Sequence, residues 1–499
     1  MPDAVFTEPK PHTGVEAFGD NLPWSTMPYL FFCLLLLICT DCVAVSTYEV
    51  SLDESLQHVD VRICFAPNDA LRPADLHVDG DARAAISRLR WNEQQLDSVR
   101  QLRRLRVVDT AGNCLDYRAQ LQTTGRRWFA DNTDYRLTSS KDWLLAPAHG
   151  QSALIRFHLP PGMAVSAPWP PAESEAAELA EDWMLLGQTP PSWSNNVVFG
   201  RFQVQPLTLG NNTLRVAILP SSPTLTLAQV RPWLEASALA VMRVHGTLPQ
   251  PDPQVLIMPA DGQNDAMPFA RVMRGGGIGL QFFVDPNSSA QAFAQDWKPT
   301  HEFSHLLFPY ISRSDAWLSE GLASYYQNIL RARDGRLSET DAWEKLLAGF
   351  ERGRRDRKRN VTLTEEASGM RHSRSFMRVY WSGAAMMFLA DTRLRELSGG
   401  QQSLDTALAG LASCCMRLGE VWRANAIMRK LDEFTDYSVF TDIYRQYAHS
   451  DQFPHVQAQL RDLGIVERHG RVRLDDSAPA AKLRHALLQF NQSTTAVLQ

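Results

Sequence analysis

Cysteine is scarce in this 499-residue chain. There are seven, and the one C-x-x-C spacing, Cys39 to Cys42, closes an apolar stretch and does not suggest a structural zinc site. Cys33, Cys39 and Cys42 fall in or beside an apolar N-terminal stretch. Cys64 and Cys114 are either one bridge within the first domain, given an oxidising compartment, or two buried thiols. The adjacent Cys414 and Cys415 read as helix core. Positive charge is not in excess either. Fifty Lys and Arg stand against 55 Asp and Glu, a net charge of -5, so there is no electrostatic case for a nucleic-acid partner. The apolar run Tyr29 to Cys39 is too short to cross a bilayer comfortably. It suits the hydrophobic part of a secretory signal, with small residues near Cys42 to Ser46 for cleavage. The positive segment that normally precedes such a run is missing, because Asp3, Glu8, Glu16 and Asp20 face only Lys10. The glycine run Gly275-Gly276-Gly277 lacks the lysine and the following helix of a phosphate loop, which argues against nucleotide binding there. No internal repeat is present.

What the chain does have is concentrated between Thr300 and Gln327, THEFSHLLFPYISRSDAWLSEGLASYYQ. It opens with His301-Glu302-Phe303-Ser304-His305. In a helix, His301 and His305 lie one turn apart on one face. Two imidazoles at that spacing can hold one zinc ion, and Glu302 beside them can take a proton from the ion's water. Pro299 suits the first turn of that helix, and Pro309 ends it. Glu320, in a second helix-like run from Ala316 to Leu330, is the natural third ligand. Two His and one Glu leave a fourth position open, as in catalytic rather than structural zinc sites. The plainer reading, a polar helix face, fits poorly with Phe303, Leu306, Leu307 and Phe308 around the motif.

Along the chain, residues 47–170 read as β-rich, with alternating runs at Val59–Phe65, Leu105–Val108, Tyr117–Leu121 and Leu154–Leu159. A Pro- and Ala-rich stretch beginning at Pro168 marks a boundary. Strands are expected at Val197–Val204, Leu214–Leu219, Val255–Met258 and Ile278–Val284, and a helix at Leu227–Val244. The basic run Arg352 to Arg359 reads as a solvated loop or helix end, with contact to an anionic partner or a membrane surface as the alternative. From Asp391 onward the chain reads as helical, over Leu404–Leu418, Val421–Leu431 and Val439–Tyr447.

H-E-F-x-H followed by Trp317-x-x-Glu320-Gly321-x-x-x-Tyr325-Tyr326 resembles the gluzincin metallopeptidases, and most of all the glycyl aminopeptidase family. The aminopeptidase N and leukotriene A4 hydrolase group is a more distant likeness. The resemblance spans roughly Tyr48 to Ala409. It implies a multidomain α+β fold with an N-terminal β-sandwich-like domain (47–170), a thermolysin-like α/β catalytic domain (171–335) and a mainly α-helical C-terminal domain (336–499). The tail from Leu460 has neither the length nor the glycine-rich loop of the PDZ domain that many of those relatives carry.

The resemblance also implies roles. Relatives carry Y-x-K-G before an apolar helix, and their Tyr donates to the oxyanion formed in peptide hydrolysis. Tyr380 matches it, in Tyr380-Trp381-Ser382-Gly383, with Ser382 in place of the Lys. Relatives also lay substrate backbone along a glycine-containing edge strand. Gly276, Gly277 and the strand after them are the counterpart, and glycines there let the substrate approach. That strand bears an amine-binding Glu in the aminopeptidase N relatives. No acidic residue stands in Gly275 to Phe283, which leaves exo- and endopeptidase action both open. Metal-bound imidazoles need an acceptor on their other nitrogen. The thermolysin-like pattern supplies an Asp one turn after the ligand Glu. Ser324 stands there instead, and Asp315 is the substitute.

The expectation is therefore a metallopeptidase holding one Zn²⁺ through His301, His305 and Glu320, with Glu302 as general base, Tyr380 at the oxyanion and a peptide or protein as substrate. Its rivals are an inactive zinc-bearing peptide-binding scaffold and a hydrolase of a non-peptide bond. Residues 1–46 are expected to be a signal peptide or N-terminal membrane segment. The protein is then periplasmic or extracellular, with membrane association through 28–46 if that segment stays attached. A buried N-terminal helix is the alternative.

Overall fold

The computed structural model describes residues 45–77, 80–108, 113–123, 133–147, 151–172, 182–187, 195–249, 252–262, 265–417 and 419–490. The signal-like stretch 28–46 lies outside them except for its last two positions. Among the described residues no helix is long and apolar enough to cross a membrane.

The N-terminal part is built from strands, as the alternating pattern requires. Seven form one sheet in the order Met184–Leu186, Ala153–His158, Thr47–Leu52, His58–Cys64, Cys114–Gln120, Ile86–Trp91 and Gln94–Gln95. In each of Thr47–Leu52, His58–Cys64 and Cys114–Gln120, every second side chain is buried. Their buried faces share an apolar core with Trp143, Trp169 and Phe199. A three-stranded sheet, Ala164–Ser166, Asn196–Gly200 and Tyr135–Ser139, completes this part. Strands from beyond position 170 thus belong to the N-terminal sheets. A short helix, α1 (Gly80–Ala85), lies between strands.

Cys64 and Cys114 are register partners on neighbouring strands and are joined as a disulfide. Cys414 and Cys415 are also joined to each other, where helix core was expected, although Cys415 is buried.

Two strand expectations change. Leu105–Val108 is irregular, because the Asn113 side chain occupies both the Val108 N–H (2.9 Å) and its carbonyl (2.7 Å), leaving no ladder to join. The run Val197–Val204 is split into two strands in different sheets, Asn196–Gly200 and Gln203–Leu209. The break falls at Gly200, whose φ of 148° and whose distance of 2.3 Å from a built Cβ to the Asp134 carbonyl oxygen admit no side chain.

The middle of the chain forms a five-stranded sheet in the order Gln203–Leu209, Asn212–Ile218, Gln254–Pro259, Gly279–Val284 and Phe269–Met273. The last strand is antiparallel to its neighbour and forms the edge. Gly279–Val284 pairs on both sides and is buried throughout, so it cannot be the edge strand the sequence suggested. Helix α2 (Leu227–Met242) opens on a Thr226/Gln229 capping box, and Trp233 packs on Phe282 of the sheet. Then come α3 (Ala290–Gln295), α4 (Lys298–Ser304), α5 (Ala316–Arg333), α6 (Glu339–Arg355), α7 (Leu363–Ser373) and α8 (Phe376–Leu397). Helices α9 (Leu404–Cys414), α10 (Ala424–Glu433) and α11 (Val439–Tyr447) follow, close to the expected spans. One apolar core runs from the sheet through α5 and α8 into α10 and α11.

Candidate metal centre

Helix α4 begins at Lys298 with Pro299 in its first turn, and a 3₁₀ turn, His305–Leu307, continues it. This short element places His301, Glu302 and His305 in the interior. Its C-terminal end is held by Arg274, which donates to the carbonyls of His305 and Phe308. Capping by a guanidinium satisfies carbonyls that a helix end leaves unpaired. Glu320 comes from the second turn of α5, which packs across α4.

These three side chains converge. His301 Nε2 lies 3.3 Å and His305 Nε2 3.6 Å from Glu320 Oε2. The three ligand atoms all lie within 4.8 Å of one another. Two atoms bound to one tetrahedral zinc at roughly 2.0–2.1 Å stand about 3.4 Å apart, so the group has the dimensions of a shared ion. The other ring nitrogens are engaged as such a site needs. His301 Nδ1 lies 2.8 Å from Gln327 Oε1, and His305 Nδ1 lies 2.9 Å from Ser319 Oγ. With Nδ1–H donating in each case, both Nε2 lone pairs are free for a cation. The donor set, two imidazoles and a carboxylate, suits zinc.

Asp315 was expected to orient an imidazole. Its carboxylate instead accepts from Arg423 Nε (2.7 Å) and the Ala424 N–H (3.1 Å), tying α5 to α10. Gln327 and Ser319 did not stand out in the sequence. Gln327 could have been found by its spacing, being seven residues after Glu320 and so on the same face of α5.

Electrostatics follow from burial and from the mutual approach of these groups. Burial pushes the Glu302 carboxyl up to about 7, with Glu320 adding to the rise and His301 opposing it. The Val272 N–H of the edge strand donates to this carboxylate. Burial pushes His305 down to about 3. Burial also opposes a charge on His301, but Glu320 and Glu302 outweigh it and its pKa is raised. Glu320 is held below its ordinary value, because the two imidazoles outweigh its own burial.

Tyr380 stands in the second turn of α8, its ring stacked on His301 with centroids 6.2 Å apart. Its hydroxyl faces Glu320, and burial first, then the two carboxylates, pushes its pKa well above 10. Ser382 is buried and accepts from Arg378 Nη1 at 2.7 Å. Gly276 and Gly277 are not part of this group. They lie buried at the junction with the N-terminal sheets, where a Cβ on Gly277 would fall 2.2 Å from the Pro168 carbonyl oxygen. Close packing at that junction, rather than an open strand edge, is what requires glycine.

No family model matches the chain, and no curated protein is significantly similar to it. Solved structures are similar in fold. An aminopeptidase N family protein from Idiomarina loihiensis superposes with a TM-score of 0.59 at 12% identity, over 84% of this chain and 78% of that one. A mutant M1 zinc metallopeptidase from Deinococcus radiodurans, bound to a Tyr-Ser-Ala substrate, gives 0.51 at 14% identity, over 82% and 95%. Yeast LTA4 hydrolase in complex with bestatin is a weaker match, 0.48 at 13% identity over 84% and 70%. The architecture is thus that of the M1 aminopeptidases, with a β-rich N-terminal domain, a central α/β region and a C-terminal helical domain.

Proposed function

We propose that this protein is a zinc-dependent metallopeptidase. The observation that carries the reading is the convergence of His301, His305 and Glu320 at ion-sharing distances, with the buried carboxylate of Glu302 beside them. Zinc held there would supply Lewis acidity, polarising a carbonyl and making a water acidic near neutral pH. The protein's own groups then have distinct tasks. Glu302, its pKa pushed up to about 7, can take a proton from that water and pass one to the departing amine. Tyr380 keeps its proton at all ordinary pH values and donates to the developing oxyanion. The outer edge of Phe269–Met273 runs beside α4 and offers backbone groups for an extended peptide. That edge takes the aligning role assigned above to Gly276 and Gly277.

The fold likeness to the M1 structures supports this reading, as does the D. radiodurans protein's complex with a Tyr-Ser-Ala substrate. We also place the protein outside the cytoplasm, a reading supported by the Cys64–Cys114 bridge, which an oxidising compartment favours.

The test is metal content and peptide hydrolysis of the purified protein beside Glu302→Gln. One zinc in each with cleavage only in the wild type establishes the activity, and the cut positions then distinguish exo from endo action. Zinc in both without cleavage in either overturns the peptidase reading. Absence of zinc from both overturns the metal site.

A further inference from the structure

Helix α5 carries an unusual stripe. Glu320, Ser324, Gln327, Asn328 and Arg331 share one face, by helical spacing, on an otherwise apolar buried helix. Beyond Glu320, its residues Ser324, Gln327, Asn328 and Arg331 form the floor of a cavity of about 470 Å³ that opens beside His301 and Tyr380. Lys345 and Arg352 of α6 stand at its rim, and Trp297 and Met377, both partly exposed, flank its mouth.

Among the described residues three cations line this cavity and no carboxylate does. Arg331 is 3% exposed and Asn328 is 2% exposed. Arg331 gives one hydrogen bond to the Gln295 carbonyl at 2.7 Å. Its Nε and the Asn328 Nδ2 are buried donors with no acceptor among the described residues. The carboxylates nearest Arg331 are committed elsewhere, Asp296 to Lys298 at 3.2 Å and Asp334 to Arg336 at 2.6 Å. Lys345 and Arg352 form no ion pair among the described residues, and Arg352 lies over the Trp381 ring at 5.0 Å. Buried unpaired donors are costly. A cavity lined by the two side chains that carry them, one of them Arg331, and by two further cations is therefore built for an anion.

We propose that this cavity is a specificity subsite that takes a carboxylate of the peptide substrate, an acidic side chain next to the cleaved bond or the chain's own terminal carboxylate. The proposal rests on the peptidase reading above. Its geometry fits a residue adjoining the scissile bond. Gln327, which holds His301, is one helical turn from Arg331, about 6 Å along the axis, a span that an extended glutamate side chain covers. Arg331 and Asn328 supply the buried donors, and Lys345 and Arg352 attract the charge at the mouth.

Matched peptides test this, differing only as Glu against Gln, or Asp against Asn, at each position flanking the cut, and as C-terminal acid against amide. The wild type is expected to favour the acid by about tenfold in kcat/KM at low salt. The Lys345→Gln/Arg352→Gln double variant, altered only at exposed positions and checked by its melting temperature, should bring that ratio down by about fivefold or more. Arg331→Gln should do the same through the floor. A Glu/Gln effect assigns the subsite to side chains, and an acid/amide effect assigns it to the chain terminus. A ratio near one in the wild type, or a ratio unchanged in all the variants, overturns the proposal. Calorimetric binding of the same peptide pairs to Glu302→Gln separates the two readings. Acid-selective binding without turnover by the wild type sinks the peptidase and keeps the subsite. Turnover without acid selectivity does the reverse.

Discussion

Gly321 of α5 and Gly383 of α8 lie backbone against backbone. A Cβ built on Gly321 would fall 2.4 Å from the Gly383 Cα, and one on Gly383 would fall 1.8 Å from the Trp317 carbonyl oxygen. The two helices share the most extensive helix–helix contact among the described residues. Their crossing point is one residue after Glu320 and three after Tyr380, so the approach of the glycines sets how close those two side chains come. The glycine in each motif is thereby explained by packing.

A methyl group at that crossing must push the helices apart. Gly383→Ala is expected to cost about 3 kcal/mol, the upper part of the range for overpacked cores, and to weaken zinc binding by moving Glu320. Thermal melting and zinc titration would read both. Gly369→Ala in α7 is the control, since a Cβ there meets nothing within 4 Å. That change should be neutral or stabilise by up to about 1 kcal/mol. Equal loss in the two variants would show that helix crossing is not what selects glycine.

Local spacing made the convergence of His301, His305 and Glu320 legible, because each ligand sits in a helix whose period is plain in the sequence. Pro299 and Pro309 bound the first helix, and the apolar pattern of Trp317, Leu318 and Leu322 orients the second. What local pattern does not carry is the partner from a distant element. The sequence marks Ile278–Val284 as a strand but not which strand lies outside it, so the edge was assigned one strand too late. Asp315 looked available, whereas Arg423 reaches it from 108 residues further on. The cavity's rim belongs to α6, whose basic run read as merely solvated. Arg352 departs from that pattern only because α8 brings Trp381 beneath it.

Gln327 fixes the His301 ring through a 2.8 Å contact to Nδ1. Gln327→Leu should remove that acceptor, free the ring and weaken zinc affinity by roughly 10–100-fold, the usual effect of losing such a partner. Gln327→Glu keeps an acceptor and should recover most of the loss. Competitive titration against a chromophoric chelator would measure both. Unaltered affinity in the Leu variant would mean the contact does not orient the ligand.

Tyr380→Phe keeps the ring stacked on His301 and removes only the hydroxyl. The expected result is a loss of about 10²–10³ in kcat with zinc content unchanged and KM little altered. Because burial and the facing carboxylates hold the hydroxyl protonated well above pH 10, the variant's pH–rate profile should keep the wild-type shape. A changed profile at full zinc occupancy would give Tyr380 an ionising role and contradict the donor assignment.

Behind the site, Asp391 anchors α8 to its neighbours. It is fully buried and accepts from Arg395 Nε (2.9 Å), the Tyr325 hydroxyl (3.0 Å) and the Leu404 N–H (3.0 Å). Burial alone would raise its pKa, but Arg395, Arg333 and these hydrogen bonds outweigh it, and the carboxyl is held below its ordinary value. A carboxyl depressed on folding binds fewer protons in the native state than in the unfolded one. Its contribution is therefore complete above the unfolded carboxyl range, near pH 4, and is lost as pH falls through the lower folded value. Asp391→Asn should cost about 3 kcal/mol at pH 7, since it strands Arg395 in the interior. It should also flatten the fall in stability below about pH 4. Denaturant melts from pH 7 to pH 3 on both proteins would show it. Parallel curves, offset by a constant amount, would mean that Asp391 titrates alike in the folded and unfolded chains and that the ion pair contributes nothing to acid sensitivity.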